Sequence, residues 1–134
     1  MNDSELQSKG DALRRQLLGE ARYARGASTY AHPMMQKFID LGTATIFGAL
    51  WARPGLDLKT RALVVLVSDV SSGRIDELPI HLHMALGQGW TQDELTEVIL
   101  QLLGYVGAPL VREAMLTAVE VFKEADREKA AASR

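Results

Sequence analysis

The apolar residues of this chain recur every three to four positions, which is the spacing of one face of an α-helix. The clearest run follows Thr91 and Glu94, which together form a capping-box pattern that starts a helix. This run predicts a helix that ends where Gly104 and Gly107 loosen it. Its apolar positions are Leu95, Val98, Ile99, Leu102, Leu103 and Val106.

One apolar stretch, residues 62–67, has a composition that suits either a buried strand or a buried helix. Asp57 ahead of it is a good helix N-cap, and the charged residues Lys59 and Arg61 favour a helix. Because the chain offers no other strand candidate, we predict an all-α protein of about six helices with short connections. The predicted helices span residues 4–18, 33–51, 58–71, 76–87, 92–106 and 109–122. Residues 19–32 are predicted to be a connecting loop.

Length and composition predict a single domain over residues 1–134, with frayed ends at 1–9 and 125–134. The hydrophobic content of 47% and the charged content of 24% are those of an ordinary soluble protein with one core. The net charge of −2 argues against a nucleic-acid partner, because such proteins carry a basic excess.

The chain has no cysteine, which excludes disulfides, thiolate metal sites and thiol-based redox chemistry. Residues 1–20 are polar and carry no recognisable signal peptide. The apolar run 62–67 is far too short to span a membrane. We therefore expect a cytoplasmic protein with no membrane partner.

The strongest candidates for catalytic residues lie on the fourth predicted helix. Glu77 and His81 are four positions apart, so they share a helix face and could act as an acid/base pair. His83 points to the opposite side, which argues against a metal site with His81. The alternative for Glu77 and His81 is an ordinary solvated helix face. Asp69, at the polar end of the 58–71 helix, is a second candidate, for substrate binding, because a carboxylate beside buried residues must be paired or desolvated. The alternative for Asp69 is a satisfied polar residue at a helix end.

Several segments resemble the carboxymuconolactone decarboxylase family, whose members are related to the alkylhydroperoxidase D fold. The matching segments are RRQLLG at 14–19, GALWARPGLDLKTR at 48–61, GR at 73–74, ELPIH at 77–81, GWT at 89–91, EVIL at 97–100 and YVGAP at 105–109. The region that contains them, residues 10–124, is nearly the whole chain. Their order and spacing carry the resemblance, since no single segment is decisive.

The resemblance implies an all-helical subunit that assembles into a homo-oligomer, a hexamer or trimer, with no metal and no organic cofactor. It also implies decarboxylation of a small carboxylated lactone, 4-carboxymuconolactone, in the protocatechuate branch of aromatic catabolism (the β-ketoadipate pathway). In the redox relatives, a Cys-x-x-Cys followed by His occupies the helix where this chain has Arg74, Glu77 and His81. Because this chain has no cysteine, peroxidase activity is excluded.

That chemistry assigns expected roles to named residues. His81 is the expected proton donor, oriented by Glu77. Substrate carboxylates need guanidinium partners, and an apolar wall beside the reacting carboxylate would favour its loss. The guanidinium candidates are Arg53, Arg61 and Arg74, and the wall candidates are Trp51, Phe47 and Tyr105.

Two alternatives remain open at this point. The chain could be an isomerase or decarboxylase that acts on another lactone or ring acid. It could also be a non-catalytic helical oligomer that binds a small ligand or stabilises a partner. For single residues, the alternative for Arg61 is an ion pair with Asp57 on the helix surface, and the alternative for Trp51 and Tyr105 is a core or subunit-interface position.

Overall fold

The computed structural model describes residues 2–133, and every regular element among them is helical. The all-α prediction is therefore confirmed for this part of the chain. The chain divides into two compact units between Leu58 and Lys59. The elements are α1 (Asp3–Leu18), α2 (Glu20–Thr29), α3 (Pro33–Gly42), a π-helix (Thr43–Trp51), α4 (Leu58–Ser72), α5 (Leu78–Gly87), α6 (Gln92–Gln101), α7 (Leu103–Val106) and α8 (Ala108–Ala132).

In the first unit, α1 packs closely along the π-helix. The approach depends on two glycines. A Cβ atom on Gly10 would lie 1.9 Å from the Thr43 carbonyl oxygen, and one on Gly48 would lie 2.2 Å from the Leu6 carbonyl oxygen. The two backbones therefore touch where no side chain could fit. The π-helix continues α3 without a break, so the prediction of one helical stretch over 33–51 is confirmed in extent, although its second half is wider than an α-helix.

The prediction of a loop over residues 19–32 was wrong, because α2 occupies most of it. Gly19, at φ 79°, separates α2 from α1 and takes a conformation that favours glycine. The helix buries no residue completely, so it lacks the strong apolar stripe that sequence patterns detect. Its inner side is formed instead by Tyr23, Gly26 and, just after the helix, Tyr30, at spacings of three and four.

In the second unit, α8 packs against α5 and α6. The largest fully buried side chains there are Leu66, Leu78, Leu82, Leu95, Ile99 and Val70. The predicted capping box is confirmed, because Thr91 Oγ1 accepts from the Glu94 N–H at 3.0 Å and Glu94 accepts from the Thr91 N–H at 2.9 Å. The helix that this box starts is shorter than predicted and ends at Gln101, after which α7 follows as a separate turn.

The two stretches expected to be frayed are helical where the structure describes them. α1 begins at Asp3 after a capping box made by Asn2 and Glu5, one residue before the predicted start at residue 4. α8 continues to Ala132. Met1 and Arg134 lie outside the described residues. In the described chain, none of the helices has the length and apolar character needed to cross a membrane.

Candidate active site

A tight turn between α4 and α5 creates the most chemically distinctive cluster in the second unit. Gly73 adopts φ 68°, which lets the chain reverse immediately after α4. The Arg74 N–H then donates to the Asp69 carbonyl at 2.9 Å, and Pro79 lies in the first turn of α5. This turn brings α4 and α5 together at the level of Asp69 and His81.

Asp69 and His81, which are 12 residues apart, form a direct hydrogen bond between the carboxylate and the imidazole. Asp69 is 5% exposed, and the His81 side chain is 17% exposed. An ionised Asp69 accepts from Nδ1–H, which fixes the imidazole ring and leaves Nε2 to exchange a proton with a ligand. The same logic applies in the Ser-His-Asp triad, where a buried carboxylate orients the histidine and stabilises its protonated form.

Glu77 does not join this pair in the described chain. It is the N-cap residue of α5 and is exposed, and its link to His81 is the backbone bond from the His81 N–H to the Glu77 carbonyl at 3.4 Å. The Nδ1 atom of His81 is already taken by Asp69. The sequence argument paired Glu77 with His81 through helix periodicity, whereas the structure supplies the carboxylate from the preceding helix.

His83 faces away from His81, as its spacing predicts. Its Nε2 lies 3.3 Å from Glu124 Oε1 on α8, and its side chain is 9% exposed. Within residues 2–133, no group of three or more His, Asp and Glu side chains is arranged to hold a metal ion.

The other predicted site residues of this unit vary in exposure. Arg74 is exposed at the turn and Arg61 is partly buried on α4. Tyr105, on α7, is 79% exposed, so within the described chain it does not form an enclosed apolar wall. Of these three residues, Arg74 is the one whose backbone N–H is hydrogen-bonded to the backbone of Asp69.

Three predicted residues belong to the first unit. Phe47 and Trp51 stack on each other in the π-helix, with ring centroids 6.0 Å apart and planes at 25°. Trp51 is buried, which agrees with a core residue, and Arg53 is exposed just after the π-helix. Their aromatic stacking is the kind of contact that stabilises a helix segment from within.

The pairing of Asp69 with His81 was not predicted, although both residues were singled out. Periodicity reveals neighbours within one helix, but it cannot show which helices pack together. The available signal was the burial argument for Asp69, which required that this carboxylate have a partner. A short turn containing Gly73 between two helices was the second clue, because short connections make antiparallel neighbours.

Comparison with known proteins gives a consistent family match. The model of the carboxymuconolactone decarboxylase family matches residues 36–120, which include α4, α5 and the Asp69–His81 pair. The chain is similar to 4-carboxymuconolactone decarboxylase of Acinetobacter baylyi, with 37% identity over 124 residues that make up 92% of each protein.

Of two further relatives, one is named for a decarboxylase activity and the other is uncharacterised. The chain is 33% identical over 111 residues to a nitrosuccinic acid decarboxylase of Metarhizium robertsii, which covers 83% of this chain and 77% of the relative. It is 34% identical over 84 residues to an uncharacterised 15.0 kDa protein of Paracoccus denitrificans, which covers 61% of this chain and 63% of the relative.

Proposed function

Because the chain belongs to the carboxymuconolactone decarboxylase family, we propose that its substrate is 4-carboxymuconolactone or a related γ-carboxy lactone. The assignment as a decarboxylase, without a named substrate, is supported by the family match and by the relative that is 37% identical. The proposed product is the enol-lactone of 3-oxoadipate, in the protocatechuate branch of aromatic catabolism. Within the chain, the observation that carries the proposal is the hydrogen bond between Asp69 and His81.

The proposed reaction breaks the bond between a ring carbon and its carboxylate. CO₂ leaves, and the electron pair moves through the ring double bond to the lactone carbonyl oxygen, which gives a dienolate. A proton is then added to a ring carbon, so the substrate has exchanged CO₂ for H⁺. The enzyme must therefore stabilise negative charge on one oxygen and deliver one proton.

His81 is the proposed proton donor, through its Nε2 atom. Asp69 holds the other ring nitrogen and stabilises the imidazolium by its opposite charge. A positioned general acid contributes roughly 10²- to 10⁴-fold to the rate. Glu77 is proposed to influence this histidine only through its charge, because both ring nitrogens are assigned, Nδ1 to Asp69 and Nε2 to the substrate.

The proposed substrate ligands are guanidinium groups and aromatic side chains. A substrate with two carboxylates needs at least one cationic anchor, and a guanidinium can hold a carboxylate with two parallel hydrogen bonds. Arg74 is the foremost anchor, because its backbone is bonded to that of Asp69. The other proposed contacts within the second unit are Arg61 and Tyr105. No cofactor is part of the proposal.

We also propose that the chain assembles with copies of itself, as a trimer or a hexamer. Large apolar side chains stand exposed on both units, and patches of this kind mark association surfaces. The most exposed of them are Tyr105 (79%), Met34 (74%), Leu41 (67%) and Phe38 (59%). Burial of Tyr105 by a neighbouring copy would give it the dry surroundings that an apolar wall requires.

A second candidate substrate class is favoured by the relative named for nitrosuccinic acid. Loss of CO₂ from a carbon that bears a nitro group also leaves negative charge on oxygen and also ends with protonation of carbon. The proposed roles of Asp69 and His81 are the same for both substrates. The two candidates differ only in the group that accepts the electron pair.

The test is a spectrophotometric assay with freshly generated 4-carboxymuconolactone that also follows CO₂ release. The wild-type chain is compared with His81→Gln, which removes the proton donor, and with His32→Asn. His32 is an exposed N-cap whose ring accepts from the Met34 N–H at 3.1 Å, and asparagine preserves that cap. We expect turnover by the wild type and His32→Asn, and its loss in His81→Gln with the folded assembly retained.

Three results would change the proposal. Full activity of His81→Gln would remove His81 from the mechanism. Turnover of nitrosuccinic acid but not of the lactone would select the second substrate class. A folded wild-type assembly with no turnover on either acid would favour a non-catalytic ligand-binding role.

A further inference from the structure

The first unit contains a cavity of about 250 Å³ that holds none of the proposed catalytic residues. Its wall is formed by α1, α2, α3 and the start of the π-helix. The lining side chains that matter here are Arg14, Tyr23, Tyr30, Asp11, Asp40 and Gln36. The volume lies just below the usual range for drug-sized ligands, about 300–1,000 Å³, so the cavity suits a smaller molecule.

Arg14 is the distinctive group in this cavity. It is 8% exposed, and its guanidinium carbon lies 5.2 Å from the ring centroid of Tyr23 and 5.7 Å from that of Tyr30. The ring faces attract the cation, but they provide no acceptors for its five N–H donors. Among residues 2–133, no carboxylate lies within 4.0 Å of this guanidinium.

A buried arginine without a carboxylate partner is rare, because a buried charge is costly unless it is paired. Within residues 2–133, every side-chain nitrogen that is fully buried has a hydrogen-bond partner. The unbonded N–H groups of Arg14 therefore retain access to the cavity that this residue lines. A carboxylate placed there would receive charge-assisted hydrogen bonds from a guanidinium already held between two rings.

The same cavity also contains negative charge. Asp11 accepts a hydrogen bond from the Tyr23 hydroxyl, and Asp40 lies on the exposed part of the wall. One guanidinium and two carboxylates give the wall a net negative charge, so a ligand with two negative charges would be repelled. A ligand with one carboxylate and one ammonium group would complement both halves of the wall.

We propose that this cavity is a binding site for a small zwitterion of the amino-acid type. The ligand's carboxylate binds Arg14, and its ammonium group faces Asp11 and Asp40. The amide of Gln36 supplies a further neutral hydrogen-bonding group. The site is separate from Asp69 and His81 and does not depend on the reaction proposed for them.

The test is direct binding measured by calorimetry and by NMR shifts, with three probes of similar length. β-Alanine is a zwitterion, propionate has one negative charge, and succinate has two. We expect affinity to fall in the order β-alanine, propionate, succinate. Arg14→Gln should weaken β-alanine binding by roughly 10- to 100-fold, the range for loss of charge-assisted hydrogen bonds.

Lys9→Gln is the matched control, because Lys9 is an exposed cation on the same helix that does not line the cavity. This variant should bind β-alanine as the wild type does. Asp40→Asn guards against a folding defect in Arg14→Gln, since Asp40 is exposed. It should lower the preference for β-alanine over propionate by several-fold and leave propionate binding intact.

His81→Gln should bind β-alanine normally, and this result separates the cavity from the proposed reaction site. No binding of β-alanine by the wild type would overturn the proposal. So would equal binding of all three probes, or an Asp40→Asn variant with an unchanged preference. Loss of β-alanine binding in His81→Gln would place the ligand elsewhere and would also contradict the proposal.

Discussion

The contact between α1 and the π-helix predicts a large penalty for adding a single methyl group at Gly10. An alanine Cβ there would lie 1.9 Å from the Thr43 carbonyl oxygen and 2.9 Å from the Gly48 nitrogen. Both are backbone atoms, so no side-chain rotation can relieve the overlap. To reach an ordinary contact of about 3.4 Å, the two helices would have to separate by about 1.5 Å.

The size of the effect follows from two opposing contributions. Alanine stabilises the interior of a helix relative to glycine by about 1 kcal/mol. Overpacking that forces backbone movement costs typically 1–3 kcal/mol, and here the movement exceeds 1 Å at a backbone contact, so we take about 3 kcal/mol or more. Gly10→Ala should therefore lower the free energy of unfolding by about 2 kcal/mol or more.

The measurement is chemical denaturation at equilibrium, with Gly42→Ala as the matched control in the same unit. A Cβ on Gly42 would meet only the Ile46 Cδ1 atom, at 4.0 Å, which is an ordinary contact. That variant should gain about 0.5–1 kcal/mol from helix propensity alone. The reasoning fails if Gly10→Ala is as stable as the wild type, or if both variants change stability by the same amount.

Three further predictions concern the second unit. Asp69→Asn should reduce turnover roughly 10- to 100-fold, because it removes a charge-assisted hydrogen bond to His81. Glu77→Gln should reduce turnover less. A larger loss in Glu77→Gln than in Asp69→Asn would assign the orienting role to Glu77. The hydrogen bond that the Glu94 carboxylate accepts from the Thr91 N–H holds the pKa of Glu94 below its ordinary value of 4.5. The stabilisation from this carboxylate is therefore present above pH 4.5 and is lost as the pH falls through the pKa of the folded state. Thermal unfolding from about pH 7 to about pH 3 should therefore show a smaller loss for Glu94→Gln than for the wild type. Trp90→Phe removes the bond from the indole N–H to the Lys59 carbonyl at 2.8 Å and should cost about 1 kcal/mol in denaturation, and an unchanged midpoint would show that water replaces it.

The all-α fold was predictable because the second unit follows the rules of amphipathic helices. The capping box at Thr91 and the apolar spacing behind it identified α6 correctly at its start. The segment 19–32 was misjudged because α2 carries tyrosines and a glycine on its inner side instead of an aliphatic stripe. The wider geometry of residues 43–51 was not foreseeable, since a π-helix has no distinct apolar period in so short a segment.

The candidate site was predictable as a set of residues but not as a set of contacts. His81 and Asp69 could be singled out by chemistry and by the cost of burying a carboxylate. Their pairing depends on how α4 and α5 meet across the Gly73 turn, which is a tertiary fact. The unpaired Arg14 had no sequence signal at all, because an arginine on a polar helix is ordinarily exposed.

The backbone contact between α1 and the π-helix also sets a limit on how the chain can be shortened. Residues 1–9 are polar and look dispensable, so they are a natural choice for removal when a minimal protein is prepared. However, the Leu6 carbonyl covers Gly48, and Gly10 needs the preceding turn of α1 to stay helical against Thr43. Removal of these nine residues would leave the buried backbone at Gly48 open to water and would take away the Asn2 cap. Residues 2–9 are therefore part of the packing of the first unit.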